Sequence, residues 1–253
     1  MLEIKNLSKN FGGLIACDNF NFNFDGSYIL GIIGPNGAGK TTLFNLISGC
    51  YVPDAGKIFF EGKNITDLPP QKRVKLGMAR TFQTIRLFNE MTSLDNVKTG
   101  RHLHSKLELL PAILRTPAFK IEETEIKRDA TEILEFLDLA DYAESIVRNL
   151  PYGIKRKVEI ARALATEPRL LLLDEPTCGM NPREADELKK TIIKLHTRDV
   201  KMIIIEHRMD FIMAVANRLI AMDFGEIISE GSPTEIQANE RVIEAYLGKK
   251  HNA

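Results

Sequence analysis

The chain has 253 residues, and its 34 Lys and Arg residues are balanced by 34 Asp and Glu residues, so the formal net charge at pH 7 is zero. A neutral chain has no excess positive charge with which to bind a nucleic-acid backbone or an anionic membrane surface, which argues against nucleic acid as a partner. The length predicts one core that carries an insertion. Cysteines at positions 17, 50 and 178 form no C-x-x-C pair, which predicts reduced thiols that serve in packing.

The first ten residues predict a strand rather than a targeting segment. Leu2 and Ile4 alternate with Glu3 and Lys5, and the basic and apolar regions of a signal peptide are missing. No apolar run approaches the roughly 20 residues that span a bilayer. We therefore expect a cytoplasmic protein, in which any membrane role must come through partner subunits.

An octapeptide with the sequence G-P-N-G-A-G-K-T follows the apolar run at residues 29–33 and precedes a helix-like stretch. Its glycines permit positive φ, so main-chain N–H groups and the start of the next helix can face an anion. Lys40 adds a charge for the β- and γ-phosphates of a nucleotide, and the Thr41 hydroxyl can bind Mg²⁺. The pattern predicts a phosphate-binding loop formed by Gly34, Pro35, Asn36, Gly37, Ala38, Gly39, Lys40, Thr41 and Thr42.

The spacing of apolar residues changes twice along the chain. Strands are predicted at residues 2–7, 19–24, 28–33 and 57–61. From about residue 85 to 166 the period is helical, and one helix face is formed by Ile126, Ala130, Ile133, Leu134 and Leu137. Buried parallel strands are predicted at 170–173 and 202–205, with a helix at 183–197 between them and a hairpin of strands at 218–222 and 226–229 after them. The pattern indicates an α/β fold, with a parallel-sheet core interrupted by a helical insert.

Two carboxylates follow the apolar run at residues 170–173. In open parallel sheets ligands gather at the carboxyl ends of the strands, so Asp174 and Glu175 are expected beside the phosphate loop. Asp174 would hold Mg²⁺ directly or through water. Glu175 would accept a proton from the water that attacks the γ-phosphate.

Two other patterns suggest chemistry that we do not expect here. His102 and His104 are two residues apart and do not share a helix face, which argues against a zinc site. Asp223-Phe224-Gly225 matches the magnesium triplet of protein kinases, but the other kinase motifs are missing. The triplet is therefore predicted to turn one strand into the next.

Three further segments complete a pattern with the phosphate loop and the Asp174-Glu175 pair. They are A-R-T-F-Q ending at Gln83, L-P-Y-G at residues 150–153 before the helix-like stretch 154–164, and E-H-R at residues 206–208. In this order and spacing the five elements resemble the ATP-binding cassette (ABC) family over almost the whole chain. The resemblance implies an ATPase of the α/β class, in which a P-loop NTPase core with a mainly parallel central sheet carries an N-terminal antiparallel β subdomain and an inserted helical subdomain.

The resemblance also implies roles for single residues. Gln83 would be the lid glutamine that contacts Mg²⁺ or the lytic water and senses the membrane partner. His207 would be the switch histidine that contacts the γ-phosphate, and Phe11 occupies the place of the aromatic residue that stacks on adenine. The implied catalytic residues are Glu175, His207 and Gln83, the implied Mg²⁺ ligands are Thr41, Gln83 and Asp174, and the cofactors are ATP and Mg²⁺.

The signature loop departs from the family pattern. Where the family usually has L-S-G-G-Q, this chain has L-P-Y-G-I at residues 150–154, so the serine that contacts the γ-phosphate across a dimer is missing. The N–H of Gly153, beside Tyr152, and a helix expected to begin near Lys155 would still offer an anion site. The basic residues at 155–157 are expected to form a solvated helix face.

Four segments resemble the ATPase subunits of branched-chain amino-acid importers and of their relatives for amides and urea. These are F-G-G-L at 11–14, R-T-F-Q at 80–83, E-H-R-M-D at 206–210 and R-V-I-E-A-Y-L-G at 241–248. The implied partners are transmembrane permease subunits and a second ATPase subunit, identical or similar, that dimerises with this one around ATP. The implied location is peripheral at the inner face of the cell membrane, with membrane contact only through these partners. The alternatives are the ATPase of a lipid or lipopolysaccharide exporter, and an ABC protein of DNA repair or translation, which the neutral charge and the short insert disfavour.

The resemblance implies one ABC ATPase domain over residues 1–253, with a nucleotide-binding core from 1–84 and 167–230, a helical subdomain at 85–166 and a helical tail at 231–253. The joint at residues 83–91 carries Ile85, Leu87, Phe88 and Met91, which are more apolar side chains than a solvated loop needs. We expect a groove there for a helix of the membrane partner. The alternative is that these residues pack the insert against the core.

Overall fold

The computed structural model describes residues 1–105 and 116–247. Within them the strands are β1 (Leu2–Phe11), β2 (Leu14–Phe24), β3 (Leu30–Ile33), β4 (Ala55–Phe60), β5 (Lys63–Asn64), β6 (Met78–Arg80), β7 (Leu170–Asp174), β8 (Lys201–Ile205), β9 (Arg218–Asp223) and β10 (Glu226–Gly231). The α-helices are α1 (Lys40–Ser48), α2 (Pro70–Lys75), α3 (Ser93–Arg101), α4 (Pro117–Phe136), α5 (Tyr152–Leu164), α6 (Pro182–Thr197), α7 (Met209–Val215), α8 (Pro233–Gln237) and α9 (Glu240–Leu247). Short 3₁₀ turns lie at His102–His104, Ala140–Tyr142 and Val147–Asn149.

Four strands of the N-terminal part form an antiparallel sheet in the order β2-β1-β4-β5. Leu2, Ile4 and Leu7 of β1 are buried, while Lys5 and Asn6 are exposed. One face of this sheet therefore packs on the core and the other faces solvent, as alternating strands require. The predicted N-terminal antiparallel β subdomain is confirmed.

The second sheet has six strands in the order β10-β9-β3-β8-β7-β6 and is parallel except for the β9–β10 hairpin. Every residue of β7 is buried, and so is every residue of β8 except Lys201. Continuous apolar runs of this kind need cover on both faces. Since β3, β8 and β7 are neighbours, the residues that follow them lie together at the carboxyl edge of the sheet.

Two buried clusters cover the opposite faces of this sheet. Leu171 and Leu173 belong to the cluster built with the helices α4 to α7, whereas Leu170 and Leu172 belong to the cluster built with α1 and the antiparallel sheet. Because successive side chains of a strand point to opposite faces, this division follows from the period of two. The arrangement fixes β7 firmly between two cores.

Most predicted strands are confirmed, and the differences have physical causes. β2 begins at Leu14 rather than at residue 19. The prediction missed its first half because most residues there are not buried, so they do not show the alternation of a half-buried strand. The strand β6 was not predicted, since three residues are too few to establish a period. The turn at Asp223-Phe224-Gly225 joins β9 to β10 as predicted, with φ of 43° at Phe224 and 85° at Gly225.

The segment predicted to be helical contains α3, α4 and α5. On α4 the predicted face is buried at Ile126, Ala130 and Leu134, and Leu137 just after the helix is also buried, whereas Ile133 is only partly buried. Residues 106–115 of the predicted helical subdomain and 248–253 of the predicted tail, including Gly248, lie outside the described residues. Among the helices that the structure describes, none is both long and apolar enough to cross a membrane.

Candidate functional site

The phosphate loop leaves β3 and enters α1. Its three glycines take the predicted positive φ, with 151° at Gly34, 85° at Gly37 and 96° at Gly39. Two of them are also required by close packing, because a Cβ at Gly34 would overlap the main-chain oxygen of Met222 and one at Gly39 would overlap that of Ala16. The rest of the predicted loop and helix start consists of Pro35, Asn36, Ala38, Lys40, Thr41 and Thr42. Of these, Asn36 and Thr41 are exposed, as is Gly37 between them.

Lys40 folds back over the loop that precedes it. Its ammonium donates to the main-chain oxygens of Gly34 at 2.6 Å and Pro35 at 2.8 Å. Burial lowers the pKa of this ammonium, while the charges of Glu175 and Asp174 act in the opposite direction. A phosphate oxygen would replace a neutral acceptor by a charged one, which strengthens the hydrogen bond.

Asp174 ends β7 and forms an ion pair with Arg80, the last residue of β6. The guanidinium and carboxylate are 2.7 Å apart, and only 7% and 4% of the two side chains are exposed. Arg80 also donates to Asn45 Oδ1 and Ser48 Oγ of α1, both at 2.8 Å. It therefore joins the helix after the phosphate loop to the strand that carries Asp174. This role of Arg80 was not predicted, although a buried carboxylate needs such a partner.

Two of the three predicted catalytic residues, Gln83 and His207, converge on the carboxylate of the third, Glu175. Glu175 Oε2 accepts a hydrogen bond from Gln83 Nε2 at 2.8 Å and lies 3.6 Å from His207 Nδ1. Glu175 has φ of 44°, and its N–H donates to the main-chain oxygen of Ile205 at 2.9 Å. A left-handed conformation of a residue other than glycine costs about 1 kcal/mol or more and recurs at functional sites. The fold thus holds the backbone of Glu175 in a strained conformation, with its side chain between the loops that carry Gln83 and His207.

Glu206 fixes these two loops to each other. Its side chain is fully buried, and Oε1 accepts from the N–H of Thr177 at 2.8 Å and from the Thr177 hydroxyl. Oε2 accepts from the N–H groups of His207 at 3.0 Å and Arg208 at 3.1 Å. One carboxylate therefore joins the loop after Glu175 to the loop that carries His207. This role of Glu206 was not predicted; the available signal was an acidic residue directly after a buried strand.

Helix α5 begins three residues earlier than predicted. The expected start near Lys155 is wrong, because the helix runs from Tyr152 with Pro151 as its N-cap. Proline at this position loses no helical hydrogen bond, since the N-cap N–H lies outside the helix. The ring of Tyr152 lies against the loop after Glu175, where a Cβ at Gly179 would fall 3.2 Å from Tyr152 Cζ.

The early start places Gly153 in the first turn of the helix, where its N–H already has a partner. That N–H donates to Glu184 Oε1 at 3.2 Å. The other oxygen of Glu184 accepts from the N–H of Asn181 at 3.0 Å and completes the capping box of α6. The predicted anion site at Gly153 is therefore faced by a carboxylate of the same chain.

The expected solvated basic face is wrong for Arg156, whose side chain is fully buried. It donates to the main-chain oxygens of Phe82 at 2.6 Å and Gln83 at 2.7 Å, and to Glu159 one turn along α5 at 2.7 Å. Burial raises the pKa of the Glu159 carboxyl, and the charge of Arg156 opposes that shift. Its two lysine neighbours are partly exposed. Arg156 thus ties the segment that carries Gln83 to α5, and the Arg–Glu spacing of three residues was the available signal.

Phe11 lies at the end of β1 with 42% of its surface exposed. Its ring meets that of Tyr51 edge to face, with centroids 5.4 Å apart, and the ammonium of Lys9 lies 5.4 Å from its centroid. An exposed aromatic ring of this kind can stack on a base. Tyr51, which is also exposed, is a second such ring that sequence analysis did not identify.

The described residues contain no group of three His, Cys, Asp or Glu side chains that could hold a metal ion. His102 Nε2 lies 3.4 Å from Glu123 Oε1, whereas His104 Nε2 lies 3.0 Å from the main-chain oxygen of Thr166. The two imidazoles therefore have different partners and do not converge.

Comparisons with known proteins agree with this geometry. Residues 17–178 match the model of the family described as ABC transporter, and residues 226–252 match the one described as branched-chain amino acid ATP-binding cassette transporter. The chain is 40% identical over 250 residues to the high-affinity branched-chain amino acid transport ATP-binding protein BraF of Pseudomonas aeruginosa. This match covers 98% of both chains. It is 38% identical to the corresponding protein LivG of Escherichia coli, also over 98% of both chains.

A solved structure supports the same relationship. The crystal structure of a nucleotide-free ATP-binding cassette from an ABC transporter superposes with a TM-score of 0.85 and 33% identity, over 98% of this chain and 99% of that one. The family model spans the phosphate loop, the signature loop and the Asp174-Glu175 pair. The chain therefore belongs to the ABC transporter family, and it is one of the ATP-binding ATPases of that family.

Proposed function

We propose that this ATPase powers an importer for branched-chain amino acids. The observation that carries the proposal is the similarity, over 98% of the chain, to relatives named for branched-chain amino acid transport in Pseudomonas aeruginosa and Escherichia coli. The match of residues 226–252 to the family model described as branched-chain amino acid ATP-binding cassette transporter also supports it. The site geometry does not choose the solute, because an ATPase subunit does not contact it.

The phosphate loop binds the β- and γ-phosphates of ATP. Main-chain N–H groups of the loop and the start of α1 face the anion, and the ammonium of Lys40 moves from the carbonyls of Gly34 and Pro35 to phosphate oxygens. Phe11 stacks on the adenine. These roles rest on the positive φ of the loop glycines and on the exposed ring of Phe11.

Thr41, Asp174 and Gln83 supply the oxygens that hold Mg²⁺. Mg²⁺ prefers oxygen ligands and usually takes only one or two carboxylates, completing its shell with water and substrate phosphates. A hydroxyl, a carboxylate and an amide oxygen fit that preference. When bound, the ion neutralises charge on the phosphates. Arg80 holds Asp174 in place through its bond to Asp174 Oδ2.

Glu175 is the general base. Its Oε2 lies between the Gln83 amide and the His207 imidazole, so a water that bonded to this carboxylate would be oriented by two further side chains. The carboxylate takes a proton from that water as it attacks the γ-phosphate. His207 contacts the γ-phosphate. Glu206 keeps the loops of Glu175 and His207 in register.

A second ATPase subunit completes the site. ATP held by one subunit is covered by the signature loop of the other, with Tyr152 and the N–H of Gly153 facing the γ-phosphate at the start of α5. In the structure this N–H is bonded to Glu184, so the carboxylate must give way when the phosphate arrives. The subunit partner is identical or similar to this chain.

The transmembrane subunit docks at the joint at residues 83–91, between the core and the helical insert. We propose residues 85–166 as this insert. Phe88 is 52% exposed and Met91 is 41% exposed, whereas Leu87 packs on the core. Phe88 borders an open cavity of about 370 Å³ between α2, α3 and α5, and Arg162 lies 5.9 Å from its ring centroid. An exposed aromatic ring at the edge of such a groove suits a helix of the partner. Gln83, a few residues before, links the groove to the γ-phosphate.

Glu175→Gln tests the chemistry and the dimer together. The substitution keeps the shape of the side chain but removes the base, so ATP hydrolysis should fall by about 10² to 10⁴ while ATP still binds. Because ATP joins the subunits and hydrolysis releases them, the variant should accumulate as a dimer on size-exclusion chromatography with ATP. The matched control is Glu187→Gln, an exposed change on α6. A monomer with near-normal turnover would contradict both roles.

Phe88→Asp tests the docking groove. A charge on this exposed ring position should abolish co-purification with the transmembrane subunits while thermal stability and ATP binding stay close to those of the wild type. Ile121→Asp is the control, since Ile121 is 63% exposed on α4 of the same insert and lies outside the cavity lining. Unfolding of Phe88→Asp, or equal loss of co-purification in the control, would place the groove elsewhere.

The solute is tested with the membrane partner. The subunits that co-purify with this chain should be reconstituted in vesicles with ATP, and uptake of radiolabelled leucine should exceed uptake of urea or of a simple amide. Export of lipid in the same vesicles, without leucine uptake, would favour the exporter alternative.

A further inference from the structure

The side chain of Tyr246 reaches the start of the phosphate loop from the other end of the chain. The N–H of Gly34 donates to the Tyr246 hydroxyl oxygen at 2.8 Å, and the two residues are 212 positions apart in the sequence. The phenol belongs to α9, in the C-terminal segment that matches the branched-chain amino acid transporter model. This contact joins that segment to the ATP site.

The helix α9 is anchored to the fold independently of Tyr246. Val242 is 4% exposed and belongs to the core on the helical side of the six-stranded sheet. At the start of the helix, Asn239 Oδ1 accepts from the N–H of Arg241 at 3.0 Å, and Asn239 Nδ2 donates to Ser229 Oγ of β10 at 3.0 Å. A helix held at these points presents Tyr246 at a defined position.

Gly34 is held on both of its polar main-chain groups. Its N–H is bonded to Tyr246, and its carbonyl oxygen accepts from the ammonium of Lys40 at 2.6 Å. The glycine has no room to shift toward the sheet, because even a Cβ would overlap the main-chain oxygen of Met222. Any movement of Gly34 would therefore displace the first residue of the phosphate loop.

We propose that Tyr246 is a positioning residue for the phosphate loop, and that through it the C-terminal helix sets the affinity of the ATPase for nucleotide. The proposal rests on ATP binding by this loop. Tyr246 is 39% exposed, and burial of the rest of the side chain raises the pKa of its phenol, while the hydrogen bond from the N–H of Gly34 opposes that shift. A phenylalanine would keep the ring contacts and leave the N–H of Gly34 without this acceptor.

The test compares Tyr246→Phe with Ile243→Ala, a change at an exposed residue of the same helix. Calorimetry gives the Kd for ATP, steady-state assays give KM and kcat, and thermal unfolding without nucleotide reports stability. Tyr246→Phe should raise Kd and KM by about threefold to tenfold, the effect of one lost hydrogen bond. Its kcat should change by less than about twofold, since the base and the lytic water are untouched. Ile243→Ala should match the wild type in Kd and KM.

Three outcomes separate the possibilities. Higher Kd and KM with a Tm within about 2 °C of the wild type support a positioning role. An unchanged Kd, or a Kd that rises only together with a loss of Tm that Ile243→Ala shares, overturns it. A wild-type chain that bound no ATP would instead contradict the assignment of the phosphate loop itself.

Discussion

Replacing Arg80 with methionine should destabilise the protein by breaking the buried ion pair with Asp174. Both side chains are almost completely buried, with 7% and 4% exposed, so the remaining carboxylate would be left without its charged partner. Removing one member of such a pair costs about 3–5 kcal/mol, and the lost bonds to Asn45 and Ser48 add about 1 kcal/mol. A domain has a total stability of only about 5–15 kcal/mol, so the loss would be a large fraction of it.

The assay is equilibrium unfolding in urea, followed by circular dichroism in buffer without nucleotide or Mg²⁺. A double-mutant cycle with Asp174→Asn isolates the ion pair, because the amide no longer needs a cation. In that background the effect of Arg80→Met on the free energy of unfolding should shrink by at least about 2 kcal/mol. The free energy of unfolding of Arg80→Lys should lie between those of the wild type and Arg80→Met. The ammonium keeps the charge but lacks the planar fork that reaches several acceptors.

Additive effects of the two substitutions would refute this reasoning. So would a loss of less than about 1 kcal/mol for Arg80→Met alone, because a solvated carboxylate would not need the partner. Either result would mean that Asp174 is open to water in the protein without nucleotide, and that Arg80 contributes through packing against Phe44 and Phe82.

Two further predictions concern the loops around the phosphates. Lys40→Ala should weaken ATP binding by about tenfold or more, because a charge-assisted contact contributes about 1.5–3 kcal/mol, and an unchanged affinity by calorimetry would contradict the assignment of the loop. Glu206→Gln should lower the free energy of unfolding by about 2–4 kcal/mol, because an amide NH₂ would face two N–H or O–H donors that the carboxylate now accepts from. Urea unfolding measures this loss, and a variant as stable as the wild type would show that Glu206 does not fix the loops.

The parts of the fold that depend on local sequence were predictable. The apolar residues of β7 and β8 are consecutive, whereas in a half-buried strand they alternate with polar ones. The glycines of the phosphate loop need positive φ wherever such a loop occurs. By contrast, β6 has three residues and exists because it pairs with β7. Nothing within so short a segment distinguishes it from a loop. The early start of α5 at Tyr152 was missed because a proline N-cap provides no side-chain hydrogen bond to identify it.

The candidate site divides in the same way. Residues proposed to contact the nucleotide lie in motifs and were identified by type and spacing, as for Lys40 and Glu175. The residues that brace them, Arg80, Arg156 and Glu206, are charged side chains that a sequence alone places at the surface. Their burial depends on partners 29 to 94 residues away, as the bonds from Thr177 to Glu206 and from Arg80 to Asp174 demonstrate. Only the folded chain brings these partners together.

A last prediction concerns Glu184, whose carboxylate occupies the N–H of Gly153 at 3.2 Å. If the γ-phosphate of a partner subunit binds at this N–H, it meets a negative charge nearby. Two like charges about 5 Å apart at an effective dielectric constant of about 20 repel by about 3 kcal/mol, and rotation of the side chain would relieve most of that. We therefore expect Glu184→Gln to strengthen the ATP-dependent dimer by about fivefold to tenfold, or about 1 kcal/mol.

The measurement uses the Glu175→Gln background, which prevents turnover, and analytical ultracentrifugation over a range of protein concentrations with ATP. Glu187→Gln, an exposed residue three positions further along α6, changes the net charge equally and should leave the dimer constant unaltered. The amide of Glu184→Gln can still accept one hydrogen bond, so the capping box of α6 is not wholly lost. A weaker dimer in Glu184→Gln than in the control would reverse the argument, because the carboxylate would then be needed to hold the signature loop in its binding conformation.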